Sequence, residues 1–201
     1  MKLFMRLAAV ALTAATVLVP AAGPVSAAGP VSAAGPAPEL PVPACSVVWF
    51  DLGDTLVDTS DRAHLTYMPG ALRYLRQLHH TGVPLGIITN VPPSWGATDA
   101  ERAEATKKHI AASWSEAKPF VWEYFGDRIL TPRSIEESKP APALFQRALA
   151  NSGGCRAVFQ GENPDEITAA ATAGMFGYQI GRHDRPAYLP LHRVLLPFLD
   201  R

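Results

Sequence analysis

The chain has 201 residues, 48% of them hydrophobic and 18% charged, which is enough apolar material for one compact domain and argues against a disordered chain. Its 18 basic and 18 acidic side chains cancel, so no strong field exists to hold nucleic acid or an anionic membrane surface.

Lys2 and Arg6 precede an uncharged apolar run, Leu7 to Val19, and small residues follow with Val-Ser-Ala sites ending at Ala27 and Ala33. That succession is a secretory signal, expected over residues 1–27 with cleavage at Ala27 or Ala33. The rival reading, a membrane anchor, needs roughly 20 apolar residues in one helix. Pro20, Gly23 and Pro24 break the run too early, so no integral anchor is expected in the mature form. Residues 28–43 repeat Ala, Gly, Pro, Val and Ser and read as an extended tether. The folded domain is expected over residues 44–201, exported to the periplasm or the extracellular medium.

Ser46 to Phe50 is the kind of apolar run that fills a buried parallel strand, and it ends in Asp51-Leu52-Gly53-Asp54. Pro69 opens a helical pattern with Leu72, Leu75 and Leu78 on one face, stopped near Gly82. A second strand, Val83 to Ile88, runs into Thr89-Asn90; residues 99–117 are helix-like, and Arg128 to Leu130 make a third strand. Lys139-Pro140 precedes another helix, Arg156 to Gln160 is a fourth strand entering Gly161-Glu162, Ile167 to Ala173 is helical, and Tyr178 to Ile180 is a fifth strand. The tail from Ala187 to Leu199 reads as a helix interrupted at Pro197. Strands alternating with helices predict an α/β domain, a Rossmann-like doubly wound parallel sheet of about five strands. Ligands in such sheets bind at the carboxyl ends of the strands, where the polar clusters all fall.

If those ends converge, the site gathers Asp51, Asp54, Glu162, Asp165 and Glu166 with the Lys139 ammonium and the Thr89 hydroxyl. Carboxylates alone would repel one another. A hard divalent cation such as Mg²⁺ resolves that repulsion and receives a phosphate, leaving one carboxylate to attack phosphorus.

The run Phe50-Asp51-Leu52-Gly53-Asp54-Thr55-Leu56-Val57 resembles motif I of the haloacid dehalogenase superfamily. Ile87-Ile88-Thr89-Asn90 is similar to motif II, Lys139-Pro140 to motif III, and Gly161-Glu162 through Glu166 to motif IV. The resemblance implies a metal-dependent phosphatase-like hydrolase with Asp51 as nucleophile, passing through an aspartyl-phosphate. Thr89, Asn90 and Lys139 would hold the phosphoryl group. Mg²⁺ would be bound by Asp51, the Gly53 carbonyl, Glu162 and Glu166. The substrate would be a phosphate ester or acyl phosphate on a small molecule or macromolecule.

Phosphatases of this family carry a second Asp, the general acid, where this chain has Gly53. Asp54, one step later, either replaces that acid or serves the turn. The alternative from another class is a non-catalytic binding protein for a phosphorylated ligand or protein partner. Carbon–halogen hydrolysis is a third reading, but those enzymes rely on a cap. Only Leu56 to Val83 separate motifs I and II, which leaves no room there for a large cap domain. The family sheet also sets the first and fourth strands side by side, which implies a disulfide between Cys45 and Cys155.

Overall fold

The computed structural model describes residues 45–199, so the expected signal peptide and tether lie outside the described residues. Among the described residues seven strands and five α-helices follow in chain order. They are β1 (Ser46–Phe50), β2 (Val57–Asp58), β3 (Thr66–Tyr67), α1 (Ala71–His80), β4 (Leu85–Ile88), α2 (Asp99–Ser113) and β5 (Ile129–Leu130). Then come α3 (Pro142–Ala150), β6 (Arg156–Gly161), α4 (Pro164–Ala173), β7 (Phe176–Gln179) and α5 (Leu191–Leu199). Five strands form one parallel sheet in the order β5-β4-β1-β6-β7, and β2 with β3 make a small antiparallel hairpin. Among the described residues no helix is long and apolar enough to cross a membrane.

Alternation along the strands divides the core between the two faces of the sheet. Val48, Phe50, Leu85 and Ile87 pack with α1 and α5, while Val47, Trp49, Ile88 and Phe159 pack with α3 and α4. Trp49 is fully buried and donates its indole N–H to Ser152 Oγ at 3.0 Å. Its ring lies across Gly86 of β4, where a Cβ would come within 2.3 Å of ring carbon. Only glycine fits beside that indole.

Several expected boundaries move, each for a local reason. α2 opens on a capping box, Thr98 with Glu101, but ends at Ser113 rather than near residue 117. Trp114 turns extended and bridges to Leu65, with Leu65 N–H donating to Ser113 O at 2.8 Å and Ser115 N–H to Leu65 O at 2.9 Å. α4 begins earlier than expected because Asn163 caps it and Pro164 occupies its first position. α5 runs through Pro197 without the expected interruption. Proline removes one donor, the partner of the Arg193 carbonyl, and the Arg156 guanidinium donates to that carbonyl instead at 2.8 Å.

Cys45 and Cys155, just ahead of the neighbouring strands β1 and β6, form a disulfide with Cα atoms 4.8 Å apart. It staples the end of the sheet opposite the polar clusters.

Candidate functional site

Asp51 is the first residue beyond β1, the central strand, and its backbone N–H donates to Gln160 O of β6 at 2.9 Å. The chain then turns tightly, with Leu56 and Val57 N–H both donating to Leu52 O at 2.9 Å. Asp54 sits in that turn at φ 49°, a left-handed conformation that Asp tolerates better than most residues. Its Oδ1 accepts from Thr59 N–H at 3.0 Å and from Thr59 Oγ1 at 2.7 Å. Of the two roles open to Asp54, the observed contacts are those of the turn.

Lys139 reaches the centre of the site from the segment before α3. Its Nζ donates to Asp51 Oδ1 at 2.5 Å and to Glu166 Oε2 at 2.7 Å, and all three residues are buried. Burial disfavours the ammonium, but the flanking charges of Asp51 and Glu166 outweigh it and hold the Lys139 pKa above the ordinary lysine value. Burial also raises Glu166, with the Lys139 charge pulling the other way. Glu166, expected among the metal ligands, accepts from Lys139 through Oε2.

Asn90 meets Lys139 as well. Its Oδ1 accepts from Lys139 N–H at 2.8 Å and its Nδ2 donates to Lys139 O at 2.9 Å. The side chain expected to meet phosphate holds the backbone of the lysine. Thr89 is buried beside it, its N–H bonded to Leu130 O at 3.1 Å.

Glu162 follows β6 and accepts from Thr55 Oγ1 at 2.8 Å. Thr55 is in turn fixed by the Tyr188 hydroxyl, which donates to Thr55 O at 2.7 Å. Burial first, then the charge of Asp51, pushes the Glu162 carboxyl above its usual range. Neighbouring carboxylates are the donor chemistry that a hard cation relieves. Among the described residues no three His, Cys, Asp or Glu side chains form a ready metal cluster. Asp51, Glu162 and the Gly53 carbonyl are the groups here that could hold such a cation.

Beside this polar centre opens a cleft of about 360 Å³, lined in part by Gly53, Thr89 and Asn90. Its walls bring together Arg62 of the β2–β3 loop, Trp95 of the short 3₁₀ turn after β4, and His109 of α2. Nothing in the sequence reading singled out Arg62 or His109. They come from distant segments, and no local pattern marks them.

No protein-family model matches the chain. It is similar to a phosphoglycolate phosphatase from Pseudomonas fluorescens, 26% identical over 140 residues, an alignment covering 66% of this chain and 45% of that protein. The chain thus spans less than half of that relative's length. Among solved structures it resembles a HAD-superfamily hydrolase from Ehrlichia chaffeensis with a TM-score of 0.50 and 16% identity, covering 81% of this chain and 98% of that one. With its five-stranded parallel sheet, and with Asp51, Thr89, Lys139 and Glu162 following or flanking the strand ends, the chain has a fold like that of this haloacid dehalogenase-superfamily structure.

Proposed function

We propose that this chain is an exported, metal-assisted phosphatase-like hydrolase with Asp51 as its nucleophile. The observation that carries the reading is the buried ion triad of Asp51, Lys139 and Glu166 at the carboxyl end of the central strand. An isolated buried charge is costly. Here one ammonium holds the carboxylate, and a phosphate entering beside Thr89 would meet the same ammonium. A free carboxylate oxygen of Asp51 attacks phosphorus while the ester oxygen departs with its bonding pair. Water then cleaves the aspartyl-phosphate, releasing phosphate and restoring the carboxylate. Lys139 balances charge throughout, and Asn90 keeps Lys139 in place. Asp51, Glu162 and the Gly53 carbonyl would hold Mg²⁺, which when bound supplies charge neutralisation at the phosphoryl group.

No Asp or Glu lines the cleft, and Asp54 is engaged by Thr59. A leaving group that needs a proton therefore finds no carboxylic acid there, and aryl or acyl phosphates suit the site better than alkyl esters. The disulfide supports passage through an oxidising compartment, in keeping with export to the periplasm or extracellular medium. The substrate would be a phosphorylated small molecule or macromolecule rather than a nucleic acid held by charge.

The same lack of an acid favours a second reading, a binding protein for a phosphorylated ligand. A screen of aryl, acyl and alkyl phosphates with and without Mg²⁺, repeated on Asp51→Asn, separates the two. Metal-dependent release of phosphate that vanishes in Asp51→Asn supports the hydrolase. Saturable ligand binding with no turnover supports the binding protein and overturns the first reading.

A further inference from the structure

The β2–β3 loop is rich in charge, and its acids are all engaged. Asp58 accepts from Ser60 N–H at 3.0 Å. Asp61 accepts from Ala63 N–H at 2.9 Å and pairs with His64 Nδ1 at 2.9 Å. Asp54, at the loop's approach, holds Thr59. Arg62 stands apart: among the described residues its guanidinium makes no ion pair or hydrogen bond. It lines the cleft together with Gly53 and Thr89, and among the described residues no carboxylate lines that cleft. Trp95 lines the same cleft, with His109 packed against it at a ring separation of 5.0 Å, and Leu65 and Ile110 add apolar surface.

We propose that this cleft receives the leaving group of the substrate and that Arg62 recognises a second negative charge on it. The substrate class is a phosphate monoester whose leaving group joins an apolar or aromatic body to a carboxylate or a further phosphate. A guanidinium offers planar, paired donors suited to either anion. Trp95 gives the body a flat apolar wall, and the acid-free lining leaves nothing to repel the charge. The inference rests on the phosphatase reading of the Asp51 site and deepens it.

Phenyl phosphate and 3-carboxyphenyl phosphate make the test, with 3-phosphonophenyl phosphate as the arm that separates carboxylate from phosphate-type anions. Both kcat/KM and Kd are measured with Mg²⁺ on the full chain, on Arg62→Ala and on Arg62→Lys. The anionic esters should be preferred over phenyl phosphate by roughly tenfold, the size of one charge-assisted hydrogen bond. That preference should disappear in Arg62→Ala and partly return in Arg62→Lys. The stronger of the two anionic arms names the anion. No preference in the unaltered chain, or an equal preference in Arg62→Ala, overturns the proposal. If no ester turns over, the hydrolase reading falls, while the ratios of Kd still decide whether Arg62 reads an anion.

Discussion

Asn90 grips Lys139 by both edges of its backbone, taking the N–H at 2.8 Å and giving its own amide N–H to the carbonyl at 2.9 Å. A side chain at the end of β4 thereby sets the position of the ammonium that holds Asp51 Oδ1. Lys139 belongs to a segment without regular strand or helix structure, so this clamp substitutes for the rigidity that a strand would provide.

Removing the clamp should therefore reduce turnover more than folding. Asn90→Ala is expected to lower kcat by about 10–100-fold, the size of effect that follows a misplaced catalytic group. Asn90→Asp keeps the acceptor for Lys139 N–H and should retain more activity. Steady-state kinetics beside urea denaturation checks this. A rise in KM alone, with kcat intact, would mean that Asn90 meets the substrate rather than the lysine.

Gly53 stands where the resemblance to haloacid dehalogenase-type phosphatases would place a general acid. Its backbone is not in the left-handed region, and a Cβ there would meet only Thr59 Cγ2, at an ordinary 3.5 Å. Gly53→Asp should fold, and it should raise the rate on alkyl phosphates relative to aryl phosphates by at least about tenfold, since positioned acid catalysis contributes roughly 10²–10⁴-fold. Parallel rates on both ester classes show whether protonation is what limits the alkyl ester. Equal gains would point to some other defect.

Asp99 carries the charge balance between α2, the segment after β5, and α3. It binds Arg102 at 2.5 Å, Arg133 at 2.8 Å and Arg147 at 2.7 Å, and Arg102 is almost wholly buried. Partial burial opposes its ionisation, but hydrogen bonds from Arg133 and Arg102 and the charge of Arg147 outweigh this and hold its pKa at about 2, below the ordinary 3.8. A depressed carboxylate pKa stabilises the fold above the unfolded value, and that contribution is lost as pH falls through the folded one. Asp99→Asn should thus cost about 1–2 kcal/mol near neutral pH, allowing for the partial exposure of the pair, and much less near pH 2. Urea midpoints of both proteins at the two pH values provide the comparison; a pH-independent difference would assign the loss to packing.

Breaking the Cys45–Cys155 bridge opens a loop spanning 110 residues of sequence. Chain-entropy arguments place the loss at about 2–5 kcal/mol. Paired Cys45→Ser and Cys155→Ser changes should lower the unfolding free energy read from urea denaturation by that amount, with little change in kcat, because the bridge lies at the end of the sheet away from Asp51. A matching collapse of kcat would show that the staple also sets the site.

Much of this arrangement is legible from the residues alone, and the exceptions share a cause. β1 is read at its true bounds because Ser-Val-Val-Trp-Phe is buried on both faces, and Asp51 follows from that strand's end. The β2–β3 hairpin goes unseen because two-residue strands carry no period. Trp114 escapes because its pairing with Leu65 outweighs the helical propensity around it. Asn90 and Glu166 are polar residues at the right strand ends, but the sequence does not say which partner claims them. Both are claimed by Lys139, one at its backbone and one at its ammonium.

The staple has a mechanical consequence. Tension on the chain ahead of Cys45 meets a covalent junction before it meets β1. The load passes through sulfur to Cys155 and spreads into β6 as well as β1, the two strands that lead to Glu162 and Asp51. Pulling from the amino-terminal side would then drag both strands together instead of sliding one past the other. A load from that side thus reaches the strands that lead to Asp51 and Glu162 together.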